Sequence, residues 1–320
     1  MKNTTLKAKN GVLRDQRILL LIIIVLLVAV VSCINPKFIR LTNIVTILQQ
    51  ISVLGILTMA MSVLMISGGI DLSIGNMMAL SAVVLATAIK NGLGLGLGML
   101  LSILVSILCG AINGVIIAKS KCVPLIVTLG TSQVFYGAAL LITGGSFMSF
   151  NGLLDFMRKI SLFGTIPLMV LLMLVTVVLM SLLINRTKFG RRIVAMGGNE
   201  TNAYLSGIKV VTYKIITYMI SGLLVALASF VFAARMNSIA PAAGSGYELD
   251  ALVACVIGGI TFEGGRGTVS GAMLGCLLTG VISSALDILG VDAYLKIAIT
   301  GVIIVIAVVL SNIDNIRRKV

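Results

Sequence analysis

The chain has 320 residues, of which 59% are hydrophobic and only 11% charged. A soluble domain carries about a quarter charged residues, and a single core of this length cannot bury so much apolar surface. The composition excludes an ordinary soluble fold and puts most of the chain in lipid. The net charge is +14, from 24 Lys and Arg against 10 Asp and Glu. These basic residues sit in short clusters between apolar runs, the pattern of loops flanking membrane spans, so no nucleic-acid partner is expected.

Residue types missing from the chain narrow the chemistry further. There is no His and no Trp. Without His the chain lacks the commonest general base and the commonest metal ligand. Cys33, Cys109, Cys122, Cys255 and Cys276 form no CxxC pair and read as small packing residues. We expect no catalytic residue and no metal site. Residues 18–31 are apolar at every position, which fits a lipid-buried helix and not the alternation of a barrel strand. The fold class is all-α, a polytopic membrane bundle.

In chain order, Lys2, Lys7, Lys9, Arg14 and Arg17 precede the first apolar run. That run is longer than a signal core and no small-x-small site follows, so it reads as a retained first span behind a cytoplasmic segment 1–17. About ten spans are predicted, near 18–34, 44–66, 73–89, 96–118, 124–143, 165–184, 212–234, 248–262, 269–289 and 294–311. The third and eighth are short and flanked by glycine, as broken or re-entrant elements are. The bias of Lys and Arg puts both termini in the cytoplasm, with Arg317, Arg318 and Lys319 at the end. It also puts the loop holding Arg186, Lys188, Arg191 and Arg192 inside, and leaves 144–164 and 236–247 outside.

The inside loop, 186–211, contains the polar run GGNETNAYLSGIKV (197–210). Asn199 suits the cap of a short helix starting at Glu200, and Gly207 suits its end. Ala203, Leu205 and Ile208 give that helix a small apolar face. The residues alone leave two readings: a helix presented to a cytosolic partner, or an interfacial connection between two spans.

Polar groups within the spans are equally two-sided. Asp71, with Gly68, Gly69 and Ser73, either lines a pathway at a helix break or caps the next helix. Gln49, Gln50, Asn113, Thr131, Ser132 and Gln133 suit a path for a hydroxylated neutral solute, or bond one helix to the next. Tyr247, Glu248 and Asp250 sit at an external mouth, as partner contacts or as the acidic first turn of a helix. Gly271 and Gly275 have the spacing of close helix packing, within the chain or across a dimer, and Gly92, Gly94, Gly96 and Gly98 belong to a second glycine-dense stretch. Gly258-Gly259-Ile260 echoes Gly68-Gly69-Ile70, which leaves internal symmetry open.

Several of these stretches resemble one known family. GGNETNAYLSGI is similar to the cytoplasmic coupling loop of permease subunits of bacterial ABC importers for monosaccharides, the ribose-type family. ISGGIDLSIGNMMALSA (66–82), GSGYELDALVACVIGGITFEGGRGTVSGAMLG (244–275) and LGVDAYLKIAITGVIIVIAVVLSN (289–312) resemble its other signatures, in order. Glu263 departs from it, where a neutral residue is more common. The resemblance implies one transmembrane domain over 1–320 that translocates a monosaccharide, ribose first. It implies an ATPase contact made by Gly198, Asn199, Glu200, Ala203, Leu205, Ser206, Gly207 and Ile208. It further implies ATP and Mg held by partner ATPase subunits, an extracytoplasmic sugar-binding protein, and a second permease copy or paralogue in a bacterial cytoplasmic membrane. The chain itself has no GxxxxGK[ST] run. Another pentose or hexose, a nucleoside or a sugar-like signal molecule are the alternative cargoes. An ion-coupled carrier would instead want carboxylates at span centres, and an intramembrane enzyme would want paired carboxylates or a metal cluster.

Overall fold

The structure, a computed structural model, describes residues 16–162, 164–292, 294–299, 301, 302 and 305. Most of the cytoplasmic segment 1–17, half of the tenth expected span and the basic C-terminus therefore lie outside the described residues.

Among the described residues seven helices are long and apolar enough to cross a membrane. They are α1 (Gln16–Ile34), α2 (Leu41–Ile66), α4 (Gly94–Ser120), α5 (Pro124–Thr143), α7 (Leu168–Arg186), α10 (Val210–Met236) and α12 (Val269–Ile288). The third and eighth expected spans are shorter helices, α3 (Ile74–Lys90) and α11 (Tyr247–Ile257). Among the described residues, then, seven full-length helices and two short ones occupy the first nine expected spans, residues 294–299 are helical beyond them, and the count of ten is not confirmed. Small elements connect these: α6 (Phe156–Lys159), α8 (Lys188–Gly198) and α9 (Glu200–Leu205). Segment 144–164, expected outside, carries strand β1 (Met148–Ser149), which pairs antiparallel with β4 (Ser238–Ile239) of the other expected outer segment. A second small pair joins β2 (Ser161–Leu162) to β3 (Ile166–Pro167).

Burial separates inner from outer helices. α2 is buried at every position from Ile51 to Ile66 and packs against α7, α10, α11 and α12. By contrast the most apolar window of α1 is only 11% buried, although its mean hydropathy is 3.2. Leu, Ile and Val side chains left exposed on a helix of that hydropathy face lipid.

Two helix pairs owe their closeness to glycine. On α4 and α10, a side chain at Gly110 would run into the Tyr218 carbonyl, and one at Gly222 into that of Ser106. The hydroxyl of Ser106 donates to the Gly222 carbonyl at 2.7 Å, which completes an antiparallel ladder of close contacts. On α11 and α12, Gly271 meets the Gly258 carbonyl and Gly275 that of Ala254. The small-residue spacing is therefore taken up inside the chain. Gly92, Gly94 and Gly96 have open space around them, and that stretch begins to pack only at Gly98.

The breaks in α3 and α11 meet in the interior. Ser81 of α3 is bonded to Ser229 of α10 at 3.1 Å. Ile74 lies seven residues back, about 10 Å at 1.5 Å per residue, so α3 starts beside the middle of α10. From the far end of α10 the chain turns back, through a short 3-10 turn at Pro241–Gly244, until Gly244 touches the Gly75 backbone. α11 then returns and ends at Ile257, five residues short of the expected 262. Gly259, with φ +88°, closes it, and the Ile260 N–H donates to the Cys255 carbonyl at 3.0 Å. α2 ends in the same way at Gly68, with φ +82° and the Gly69 N–H donating to Leu64 at 2.9 Å. The two GGI runs thus make the same closure one residue out of register: the first glycine turns in one, the second in the other. Both ends lie on one side of the bundle, since the Gly265 N–H donates to the Ile66 carbonyl at 2.9 Å.

Candidate functional site

The polar run 197–210 folds as its residues dictate. Thr187 caps α8 by accepting from the Gly190 N–H at 3.0 Å. Asn199 caps α9, accepting the Asn202 N–H at 2.8 Å, with Glu200 in the first turn. Gly207, at positive φ, stops it. The small apolar face divides, however. Ala203 is buried and Ile208 packs partly against the core, whereas Leu205 is 76% exposed. Beside Leu205 stands Tyr204, 69% exposed, which the sequence reading passed over. The exposed apolar residues of α9 are therefore Tyr204 and Leu205, beside exposed Glu200, Thr201 and Asn202, while Ile208 is half-buried. Gly198, Asn199 and Ser206 are exposed around it.

Two contacts hold this turn to α10. The Glu200 carboxylate receives Lys214 Nζ at 2.6 Å, so this residue, expected as a partner contact, already has a partner in the chain. It remains about half exposed. Arg192 of α8 donates to the Tyr213 hydroxyl and lies over its ring, 5.4 Å from the centroid.

Beneath α9 three glycine pairs from distant parts of the chain come together. A side chain at Gly197 would collide with the Ile66 carbonyl and lie 2.6 Å from the Gly265 nitrogen. One at Gly264 would lie 2.7 Å from the Gly68 Cα, and one at Gly265 would lie 2.6 Å from the Gly198 Cα. Backbone rests on backbone, so the end of α8, from which α9 continues, is seated on the end of α2 and on the loop between α11 and α12.

From this junction the segment 69–73 runs inward to α3, held by three helices. The Tyr218 hydroxyl of α10 donates to the Ile70 carbonyl at 3.0 Å and lies over Gly69. Thr128 of α5 accepts the Leu72 N–H at 3.1 Å. Asp71 is fully buried. Its Oδ1 accepts from the Ser73 N–H (2.8 Å) and hydroxyl (2.5 Å), and its Oδ2 from Asn113 of α4 (3.1 Å). The sequence left Asp71 between cap and pathway. In the structure Asp71 and Asn113 are bonded to each other in the packing, Gly68 lies against the Gly197 backbone and Gly69 against the Tyr218 ring.

The other expected pathway and mouth residues part company. Gln50 lines a cavity of about 270 Å³, together with Tyr247 and Asp250 of α11. Gln49, one residue away, is half-buried outside it. Glu248 turns from the expected mouth towards Gly75 at the start of α3, and accepts the Gly246 N–H at 3.1 Å. The cavity also takes in Arg235, Thr279, Ser283 and Lys296, none of which the sequence singled out. One available signal was Arg235, a lone cation in the last turn of an apolar helix. Among the described residues no group of three or more Cys, Asp or Glu could hold a metal ion.

Apolar helices with lipid-facing flanks, two interior breaks and a polar cavity between them define a multi-pass membrane protein. The chain belongs to the family described as branched-chain amino acid transport system / permease component, whose model matches residues 43–308. It is 39% identical over 292 residues, 90% of each chain, to a protein of Bacillus subtilis strain 168 named ribose import permease. A ribose import permease of Escherichia coli K12 is 35% identical, with 91% of this chain and 92% of that one covered. The L-arabinose transport system permease of the same strain is 33% identical, covering 97% and 93%. No solved structure matches the chain.

Proposed function

We propose that the chain is the transmembrane permease subunit of an ATP-driven importer that carries a monosaccharide, D-ribose first, across the bacterial cytoplasmic membrane. The observation that carries this reading is the near end-to-end match to permeases named for ribose and L-arabinose. The family description names branched-chain amino acids. The sugar reading is preferred because those relatives align over nine-tenths or more of both chains.

On this reading α8 and α9 face the cytoplasm with both termini, and the loop 186–211 is where force enters. Two copies, or this chain and a paralogue, pair in the membrane, and ATPase subunits hold ATP and Mg below them. A binding protein delivers sugar from the far side. Tyr204 and Leu205 form the surface that an ATPase groove would take, in the manner of a helix laid by its apolar residues into a cleft. Closure of the ATPases would push α9, and the glycine junction would pass that push to α2 and to the α11–α12 loop. The chain transports and does no chemistry of its own.

The test is co-purification of the tagged chain from its own membrane, intact and with residues 199–208 scrambled. We expect a soluble ATPase with the intact chain and none with the scrambled one. An intact chain that brings down no ATPase under several mild extractions sinks the reading.

A further inference from the structure

The cavity of about 270 Å³ between α2, α10, α11 and α12 is not explained by coupling or by helix packing. Its volume is just under the low end of small-ligand pockets, about 300 Å³, which suits one small ring and not a nucleotide or an oligosaccharide. Its wall is mainly apolar but carries hydrogen-bonding groups: the Gln50 amide, the Asp250 carboxylate and the Thr279 and Ser283 hydroxyls. Ile51, Leu54 and Val253 supply apolar surface for the C–H faces of such a ring.

Charge decides against an ion. Arg235 and Lys296 line the cavity, but Asp250 faces them and Lys296 Nζ is 2.7 Å from Asp287. With Lys296 paired to Asp287, Arg235 and Asp250 remain as one cation and one carboxylate on the wall, so the charges balance and favour neither a simple anion nor a simple cation. They do supply donors and acceptors side by side, which is what a neutral polyol needs.

The walls are also preset. Tyr247 meets Phe232 edge to face, with centroids 6.1 Å apart, so its ring is braced from behind. Gly280 brings α12 so near α2 that a side chain there would run into Ile51. The cavity further lies at the start of the broken helix α11, where the chain turns back into the bundle. Broken helices place binding groups at such points.

We infer that this cavity is a monosaccharide subsite within a single permease chain, with Asp250 and Gln50 accepting from the sugar hydroxyls and Arg235 donating to them. The inference rests on the sugar reading and adds a place to it.

The test uses the whole importer, reconstituted in liposomes with its own ATPase and binding protein. D-ribose uptake and ATP hydrolysis are measured together. Ser283→Phe fills the cavity, Asp250→Asn removes its carboxylate, and Thr279→Val removes a hydroxyl at nearly constant shape. We expect sugar carried per ATP to fall about tenfold in Ser283→Phe and severalfold in the other two, with hydrolysis still stimulated by the loaded binding protein. If Ser283→Phe does not assemble, Asp250→Asn and Thr279→Val decide the matter. Unchanged sugar per ATP in these variants, or an equal loss of uptake and hydrolysis, overturns the subsite while leaving the sugar reading in place. A wild-type importer that hydrolyses ATP but takes up neither D-ribose, L-arabinose nor any other pentose or hexose offered overturns both.

Discussion

Gly197 rests its Cα directly on the backbone carbonyl of Ile66, 131 positions earlier in the chain, with no room between them for a methyl group. Its neighbour Gly198 has open space where a side chain would go. Adjacent glycines in one helix end thus differ completely in what they permit. Gly197→Ala should lower stability by about 1–3 kcal/mol, the usual cost of overpacking against groups that cannot move aside. Gly198→Ala should be nearly silent. Thermal unfolding of the two variants in detergent checks this, and equal melting temperatures would mean that the junction is looser than its geometry.

Asp71 is the one acidic side chain among the described residues that is fully buried. Three donors converge on it, two from Ser73 and one from Asn113. Asp71→Ala leaves buried donors without acceptors, each costing about 1–3 kcal/mol. Asp71→Asn keeps one oxygen for Ser73 but turns an amide NH₂ towards that of Asn113, so it should be milder. Tyr218→Phe removes a single bond to Ile70 and should cost about 1 kcal/mol. The expected order of melting temperatures is wild type, Tyr218→Phe, Asp71→Asn, Asp71→Ala. An Asp71→Ala chain that melts like wild type yet fails to transport would move this residue from scaffold to pathway.

Glycines on helix faces give a cleaner contrast. Gly275 faces the Ala254 carbonyl, whereas Gly96 faces nothing within 4 Å. Gly275→Ala should destabilise by about 1–3 kcal/mol through overpacking. Gly96→Ala should be neutral or stabilise by up to about 1 kcal/mol, because it only removes backbone freedom from the unfolded chain. Detergent melts again read the difference. A destabilised Gly96→Ala would indicate that a second chain packs there.

What the sequence made legible was local. Asn199 capping α9, Gly207 ending it and short third and eighth helices follow from residues a few positions apart, where backbone chemistry acts. The glycine junction was not legible, because it joins Gly68, Gly197 and Gly264, and no local signal relates them. The cavity was legible only in part: Gln50, Tyr247 and Asp250 stood out singly, but no local signal joins them to Arg235 and Thr279 on two other helices. Tyr204 was overlooked because a six-residue helix makes fewer than two turns. Which of its apolar residues face out is set by where Gly197 and Lys214 anchor it, not by periodicity.

Glu200 and the pair Tyr204–Leu205 separate anchoring from docking. Glu200 pairs with Lys214 across partly exposed surface, with side-chain exposures of 57% and 21%. Such a pair contributes at most about 1 kcal/mol, so Glu200→Arg should fold and insert normally. It also puts a second cation beside Lys214, which should push α9 from its seat and lower uptake. Tyr204 and Leu205 touch little of the chain itself, so changing both to Ala should leave the melting temperature within about 0.5 kcal/mol equivalents of wild type. If they are the knobs an ATPase receives, the same double change should release the ATPase on purification and stop uptake. Burial predicts the reverse pattern for Ala203→Asp, which places a charge against the core and should unfold the turn before any partner is involved. Pull-down and melting of these three variants together form the measurement. A Tyr204/Leu205 double variant that still retains its ATPase would place the contact elsewhere on α8, where Lys188 and Arg191 are exposed.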